Sequence, residues 1–245
     1  MARVNEVDRV ERAIASAIVS GAFPPGVRLP AETELATKHG CGRSTVREAL
    51  GRLASRGMVA SRRGSGAHVL DWRHEGTPAL LPDYLAAGIA PADAVRLVPE
   101  LLHLRSLLAR EAPRLAARYA TRDSLAPARE ALEDLVRAEG PTDSVLAELR
   151  LFRALVIASG VWPVVWLGNA FWAPMREVNA LLAPLAGGPP PGHTEALQKL
   201  LELVEAGKEK AALAHLDKFL AGVDRMLSTR LGAHFAGKQA PARKV

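Results

Sequence analysis

Apolar residues recur at helical spacing along most of this chain, and their pattern divides it in two. Over residues 4 to 20, Val7, Val10, Ile14, Ala17 and Ile18 fall on one side of a predicted amphipathic helix. Phe23-Pro24-Pro25-Gly26 then turns the chain. Residues 30 to 39 read as a shorter helix, ended by Gly40, which adopts the left-handed conformation at little cost. A further helix begins near Gly42 or Arg43 and runs to about Arg56. Val46, Ala49, Leu50 and Leu53 form its apolar stripe, Arg43, Ser44 and Arg47 fall opposite, and Thr45 lies at the edge. Gly57 stops it, residues 58 to 61 and 67 to 70 read as two short strands, and Arg62-Arg63-Gly64-Ser65-Gly66 makes the turn between them.

Residues 71 to 78 have the composition of a linker, and Pro78 suits the first turn of a following helix. Beyond it the chain lacks alternating strands and is rich in Ala, Leu, Arg and Glu, which lose least on entering a helix. Helices are predicted over about 79 to 87, 92 to 120, 122 to 138, 142 to 159, 162 to 185, 193 to 206 and 208 to 235. Pro99, Pro113 and Pro174 fall inside them and should kink or divide them. The expected fold is mainly α: a winged helix-turn-helix of three helices and a two-stranded wing over residues 1 to 70, a linker over 71 to 78, an all-α bundle over 79 to 236, and a disordered basic tail over 237 to 245.

The length of 245 residues, 49% of them apolar, allows two domains, and the charge is unevenly shared between them. Residues 1 to 72 carry eleven bases and seven acids, the tail from Gly237 carries three bases and no acid, and the remainder is close to neutral. From Lys38 through Arg63 there are seven Lys or Arg against a single acid, Glu48. Such a face attracts polyanions. Arg43 and Arg47, one turn apart, can reach base edges from the first turns of a recognition helix, and two arginines on a glycine-rich wing can approach a phosphate backbone or a minor groove. The alternative is a solvated basic surface on an ordinary bundle.

Other classes lose ground on composition. No apolar run is long enough to span a membrane, and the acid-containing start is not a signal peptide, so a cytoplasmic protein is expected. The single cysteine, Cys41, permits no intrachain disulfide and reads as a small packed side chain. There is no Gly-rich phosphate loop, no HExxH, and no Ser or Cys nucleophile in a recognisable setting, which argues against an enzyme.

Residues 25 to 36, Pro-Gly-Val-Arg-Leu-Pro-Ala-Glu-Thr-Glu-Leu-Ala, and 42 to 50, Gly-Arg-Ser-Thr-Val-Arg-Glu-Ala-Leu, resemble the signature runs of the GntR family of bacterial transcription regulators. The resemblance covers about the first seventy residues. It implies base readout by Arg43, phosphate or base contacts by Ser44, Thr45 and Arg47, and a groove contact by Arg62, Arg63 and Gly64. The family often has an arginine where this chain has Thr33, which implies a different operator base opposite Thr33.

The helical half is similar to the FadR subfamily's C-terminal domain, through residues 104 to 108, residues 152 to 160 and the closing helices around Gly207. One branch of that subfamily binds a divalent metal and small organic acids, through an Asp-x-x-Phe-His segment and further histidines. Aligned on Phe152, this chain has Leu149 and Arg153 at the acid and histidine, and aligned on Gly207 it has Leu197 and Phe219 at two more. None of these can hold an ion. His193 and His215, one turn earlier and twenty-two residues apart, are the remaining metal candidates if the turn at Gly207 is shifted. The substitutions point instead to the metal-free branch, which responds to fatty acyl-CoA, and no cofactor is expected. Trp162, Trp166, Phe171 and Trp172 gather four of the eleven aromatic residues around Asn169. Arg105, Arg153, Trp166, Asn169, Trp172, Leu197 and Phe219 are therefore the candidate effector contacts, with core packing as the alternative for the aromatics and ion pairs to Glu100 or Glu148 as the alternative for Arg105.

The expected function is a homodimeric regulator that binds a palindromic double-stranded DNA operator and responds to a small organic acid or acyl-CoA-like effector, with no membrane partner. A metal-dependent acid sensor of the same family, a helical enzyme and a non-specific DNA binder are the competing readings.

Overall fold

The computed structural model describes residues 5–62, 65–86 and 91–237, with the backbone alone at Arg62, Ala86, 91–98 and 233–237. Two compact units divide the chain at residues 89 and 90.

In the first unit, α1 (Glu6–Val19) starts where the Asn5 side chain accepts the Val7 amide, with Glu6 and Asp8 in the first turn, where a negative charge suits the helix dipole. Its stripe, Val7, Val10, Ile14 and Ile18, packs on Val46, Ala49, Leu50 and Leu53 of α3 (Arg43–Ser55). Between them in sequence comes α2 (Glu32–His39), closed by Gly40 at φ 61°. Strands β1 (Val59–Arg62) and β2 (Gly66–Val69) pair antiparallel with Val59 opposite Val69 and Arg62 opposite Gly66, and Arg28 bridges to His68 on the other edge. The winged helix-turn-helix expected from the periodicity is present. Arg63 and Gly64, and the side chain of Arg62, lie outside the described residues.

The stretch read as a linker is folded onto this unit. Asp71 caps α4 (Trp72–Glu75), a single 3-10 turn spans Pro78–Leu80, and α5 (Leu81–Ala86) follows. Trp72 and Tyr84 meet with ring centroids 5.5 Å apart, and Leu80 enters the same core as Leu53. Gly57 makes this docking possible: at φ 74° it approaches the chain so closely that a Cβ there would stand 2.0 Å from the Glu75 carbonyl oxygen. An ionic cluster ties the same elements together. Arg56 pairs with Glu11 at 3.1 Å and with Asp83 of α5, and Arg52 pairs with Asp8 at 2.8 Å and Glu48 at 2.6 Å. Glu11 is almost fully buried, and burial pushes its carboxyl up more strongly than Arg56 and Arg52 pull it down; burial also raises Asp83.

The second unit is all helix: α6 (Pro91–Tyr119), α7 (Ala126–Arg137), α8 (Pro141–Ala158), α9 (Trp162–Ala186), α10 (His193–Glu205) and α11 (Glu209–Gly237). Proline opens α7, α8 and α9 in their first turns, where the missing N–H costs nothing. Leu151, Leu155, Leu197, Leu200 and Leu216 fill the core, with alanines of α6 and α7 letting the backbones approach. Of the two outcomes expected at the interior prolines, a kink or a division, division does not occur: α6 runs through Pro99 and Pro113, and α9 through Pro174 and also Pro184. Pro174 is itself buried.

Candidate nucleic-acid interface and ligand cavity

Helix α3 is fixed from behind by Val46, Ala49 and Leu53, each with no exposed surface, so Arg43, Ser44 and Arg47 are left on its outer face. Arg43 makes no hydrogen bond or ion pair among the described residues. Arg47 is already engaged: its Nε and Nη2 donate to the two carboxylate oxygens of Glu32, at 3.3 and 2.8 Å. That pair holds the Glu32 carboxyl below the usual range. Thr45 is half-buried with its hydroxyl 3.5 Å from Glu6, and Thr33 stands exposed on α2. The basic face is narrower than the charge count implied, because Arg52 and Arg56 turn toward the acids of α1, α3 and α5. Sequence reasoning missed Glu32, which stands fifteen residues from the arginine it holds.

In the helical unit, α6, α8, α9, α10 and α11 enclose a cavity of about 350 Å³ whose surface is mostly apolar. Its polar floor is a hydrogen-bonded network that leaves the buried Nδ1 of His193 without a partner among the described residues. Arg105 donates to Glu148 at 3.0 Å and to Asp224 at 3.1 Å, Ser106 donates to Asp224 at 3.1 Å, and Nε2 of the buried His193 donates to Glu148 at 3.0 Å. Burial pushes the Glu148 carboxyl up, but Arg105 and His193 outweigh it and hold it below the usual carboxylate range. Higher on α8, Arg153 donates to the Asn169 side chain at 3.2 Å and lies over the Trp172 ring, 4.5 Å from its centroid.

Of the candidate effector contacts, Arg105, Arg153, Asn169 and Trp172 line this cavity. The other three do not. Trp166 is 67% exposed on another face of α9, Leu197 is wholly buried in the core, and Phe219 packs on that core with its ring 5.3 Å from His193. For Trp166 the helix register explains this: six residues along α9 turn it well away from Trp172. His193 lines the cavity bound to Glu148, whereas His215 donates to the Ala196 carbonyl at 2.8 Å. Among the described residues no three His, Cys, Asp or Glu side chains gather in a way that could hold an ion, and no helix is long and apolar enough to cross a membrane.

The two kinds of carboxylate have opposite effects on stability with pH. Glu148, lowered on folding, stabilises above its ordinary value of 4.5 and loses that contribution as pH falls. Glu11, raised on folding from 4.5, contributes most below that value, and the contribution is lost as pH rises through its folded value. In denaturant unfolding across acidic and neutral pH, Glu148→Gln should therefore show a shallower acid loss than the parent and Glu11→Gln a steeper one. Changes of the same sign would contradict this.

Comparison with known proteins agrees with the geometry. Residues 6–69 match the family described as bacterial regulatory proteins, gntR family, and residues 100–222 match the FCD domain. The chain is 36% identical to the Mycobacterium tuberculosis HTH-type transcriptional regulator Rv0494 over 63% of its own length and 61% of that protein, so it spans less than two thirds of that relative. It is 31% identical to the Mycobacterium tuberculosis HTH-type transcriptional regulator Mce2R over 80% of this chain and 88% of that one. The solved structure of Lar, which controls expression of the Listeria monocytogenes agr system, shares the fold at TM-score 0.59 and 18% identity, covering 91% of this chain and 96% of Lar. The chain thus belongs to the gntR family of bacterial regulatory proteins, as a DNA-binding transcriptional regulator with an FCD effector domain.

Proposed function

We propose that the chain acts in the cytoplasm as a homodimer on a palindromic operator, and that an amphiphilic acid or acyl-CoA-like molecule in the helical unit modulates its affinity for DNA. The observation that carries the DNA half is Arg43, exposed and without a bond of its own among the described residues, on a helix whose other face is fully buried. Ser44 and Arg47 are exposed on the same helix, Thr45 is half-buried between them and Thr33 is exposed on α2; we assign these four to the DNA contact, with a groove contact by Arg62, Arg63 and Gly64, which lie outside the described side chains. One head reads too few bases for genomic selectivity, and two-fold pairing doubles both the contacts and the site. The cavity supplies the effector half, and a ligand there shifts the DNA equilibrium only by its difference in affinity between the two states. In a mobility shift at fixed salt, operator DNA and arbitrary competitor should differ by about three orders of magnitude or more. Equal competition would reduce the protein to a non-specific binder.

A further inference from the structure

The balance of charge inside the cavity singles out one side chain. The ionisable lining residues described are Arg105, Glu111, Glu148, Arg153 and His193. Arg105 is held by two carboxylates, Glu148 at 3.0 Å and Asp224 at 3.1 Å, and Glu148 also takes the His193 hydrogen bond. Glu111 pairs with Arg114 at 2.6 Å. Arg153 alone among these has no oppositely charged partner among the described residues. One of its N–H groups goes to the Asn169 carbonyl and its plane rests on Trp172, which orients the guanidinium and leaves other donors free.

We propose that Arg153, supported by Asn169 and Trp172, binds the head of the effector, and that this effector carries a single carboxylate on an apolar body. Arg105 is a structural member of the floor. The proposal rests on the cavity being the effector site. A carboxylate placed on the floor would meet Glu148, with the Arg105 charge already neutralised by Glu148 and Asp224; placed beside Arg153 it meets an uncompensated cation in an apolar surrounding, where such a hydrogen bond is strong. A second anionic group would find no further free cation among the described lining residues, which disfavours dicarboxylates and phosphates.

The test uses the full chain and three probes of one chain length, decanoate, decanol and decanoyl-CoA, with binding followed by calorimetry. Decanoate should bind about tenfold to a hundredfold tighter than decanol, the range of a hydrogen bond to a charged group. Arg153→Gln should erase that preference while leaving decanol affinity unchanged, which also reports that the cavity is still folded, and Arg153→Lys should keep most of it. If decanol equals decanoate in the parent, if Arg153→Gln retains the preference, or if decanoyl-CoA binds tightest and ignores the substitution, the proposal fails and the cavity remains an effector site. If none of the three binds, the effector-site reading itself fails.

Discussion

Glu148→Leu is expected to destabilise the helical unit by about 3 to 5 kcal/mol, the cost of breaking a buried ion pair from one side. The carboxylate stands between Arg105 of α6 and His193 of α10, while Arg105 reaches Asp224 of α11, so one side chain of α8 links four helices. Leucine would leave the Nε2 donor of His193, only 6% exposed, without an acceptor, and Arg105 with one acid instead of two. In a unit of this size each kcal/mol moves the midpoint by about 2 to 4 °C, so calorimetry should show a fall of roughly 10 °C. Glu148→Gln keeps a carbonyl for one donor and should cost less. A Glu148→Leu protein that melts with the parent would show that the network does not hold the bundle together.

Arg43→Ala should weaken operator binding by about 1 to 3 kcal/mol and relax the preference at one base pair, without changing the melting temperature. The separation of the two effects follows from the free protein, in which Arg43 has no partner among the described residues to lose. Arg47→Ala is a less direct test, because it also releases the carboxylate of Glu32 on the face proposed to meet DNA. Its cost would combine a lost contact with a new repulsion. Arg52→Ala and Arg56→Ala would report on the acid cluster at α1 and α5 rather than on DNA.

Periodicity made most of the architecture legible, since each long helix carries its own apolar stripe. What escaped depends on contacts far apart in sequence. Residues 71 to 78 look like a linker because Asp71, Gly76 and Pro78 are turn-formers, yet Trp72, and Leu80 just beyond them, find a core only when Gly57 lets the chain come close. Glu11 left a trace that could have been read: it sits on the Val7, Ile14 and Ile18 stripe, where a carboxylate needs a cation, here Arg56. Of the two acids that neutralise Arg105, Glu148 was already named from the sequence as an alternative ion-pair partner, and the structure bears that out, whereas Asp224, 119 residues away, was not legible. On α9 the aromatics looked like one cluster, but helical rotation puts Trp172 on the cavity and leaves Trp162 and Trp166 exposed. Arg153, which departs from the metal-binding pattern, was the more informative arginine, because a substitution at a ligand position changes which chemistry the cavity can accept.

Selection of bound sequences from a random double-stranded DNA pool, run in parallel with the parent protein and Arg43→Ala, probes the DNA-reading helix with no target sequence assumed. The parent should enrich two inverted half-sites about one helical turn apart, and the variant should enrich the same motif with one symmetric pair of positions degenerate. No enriched motif, or an identical motif from both proteins, would mean that Arg43 does not read DNA.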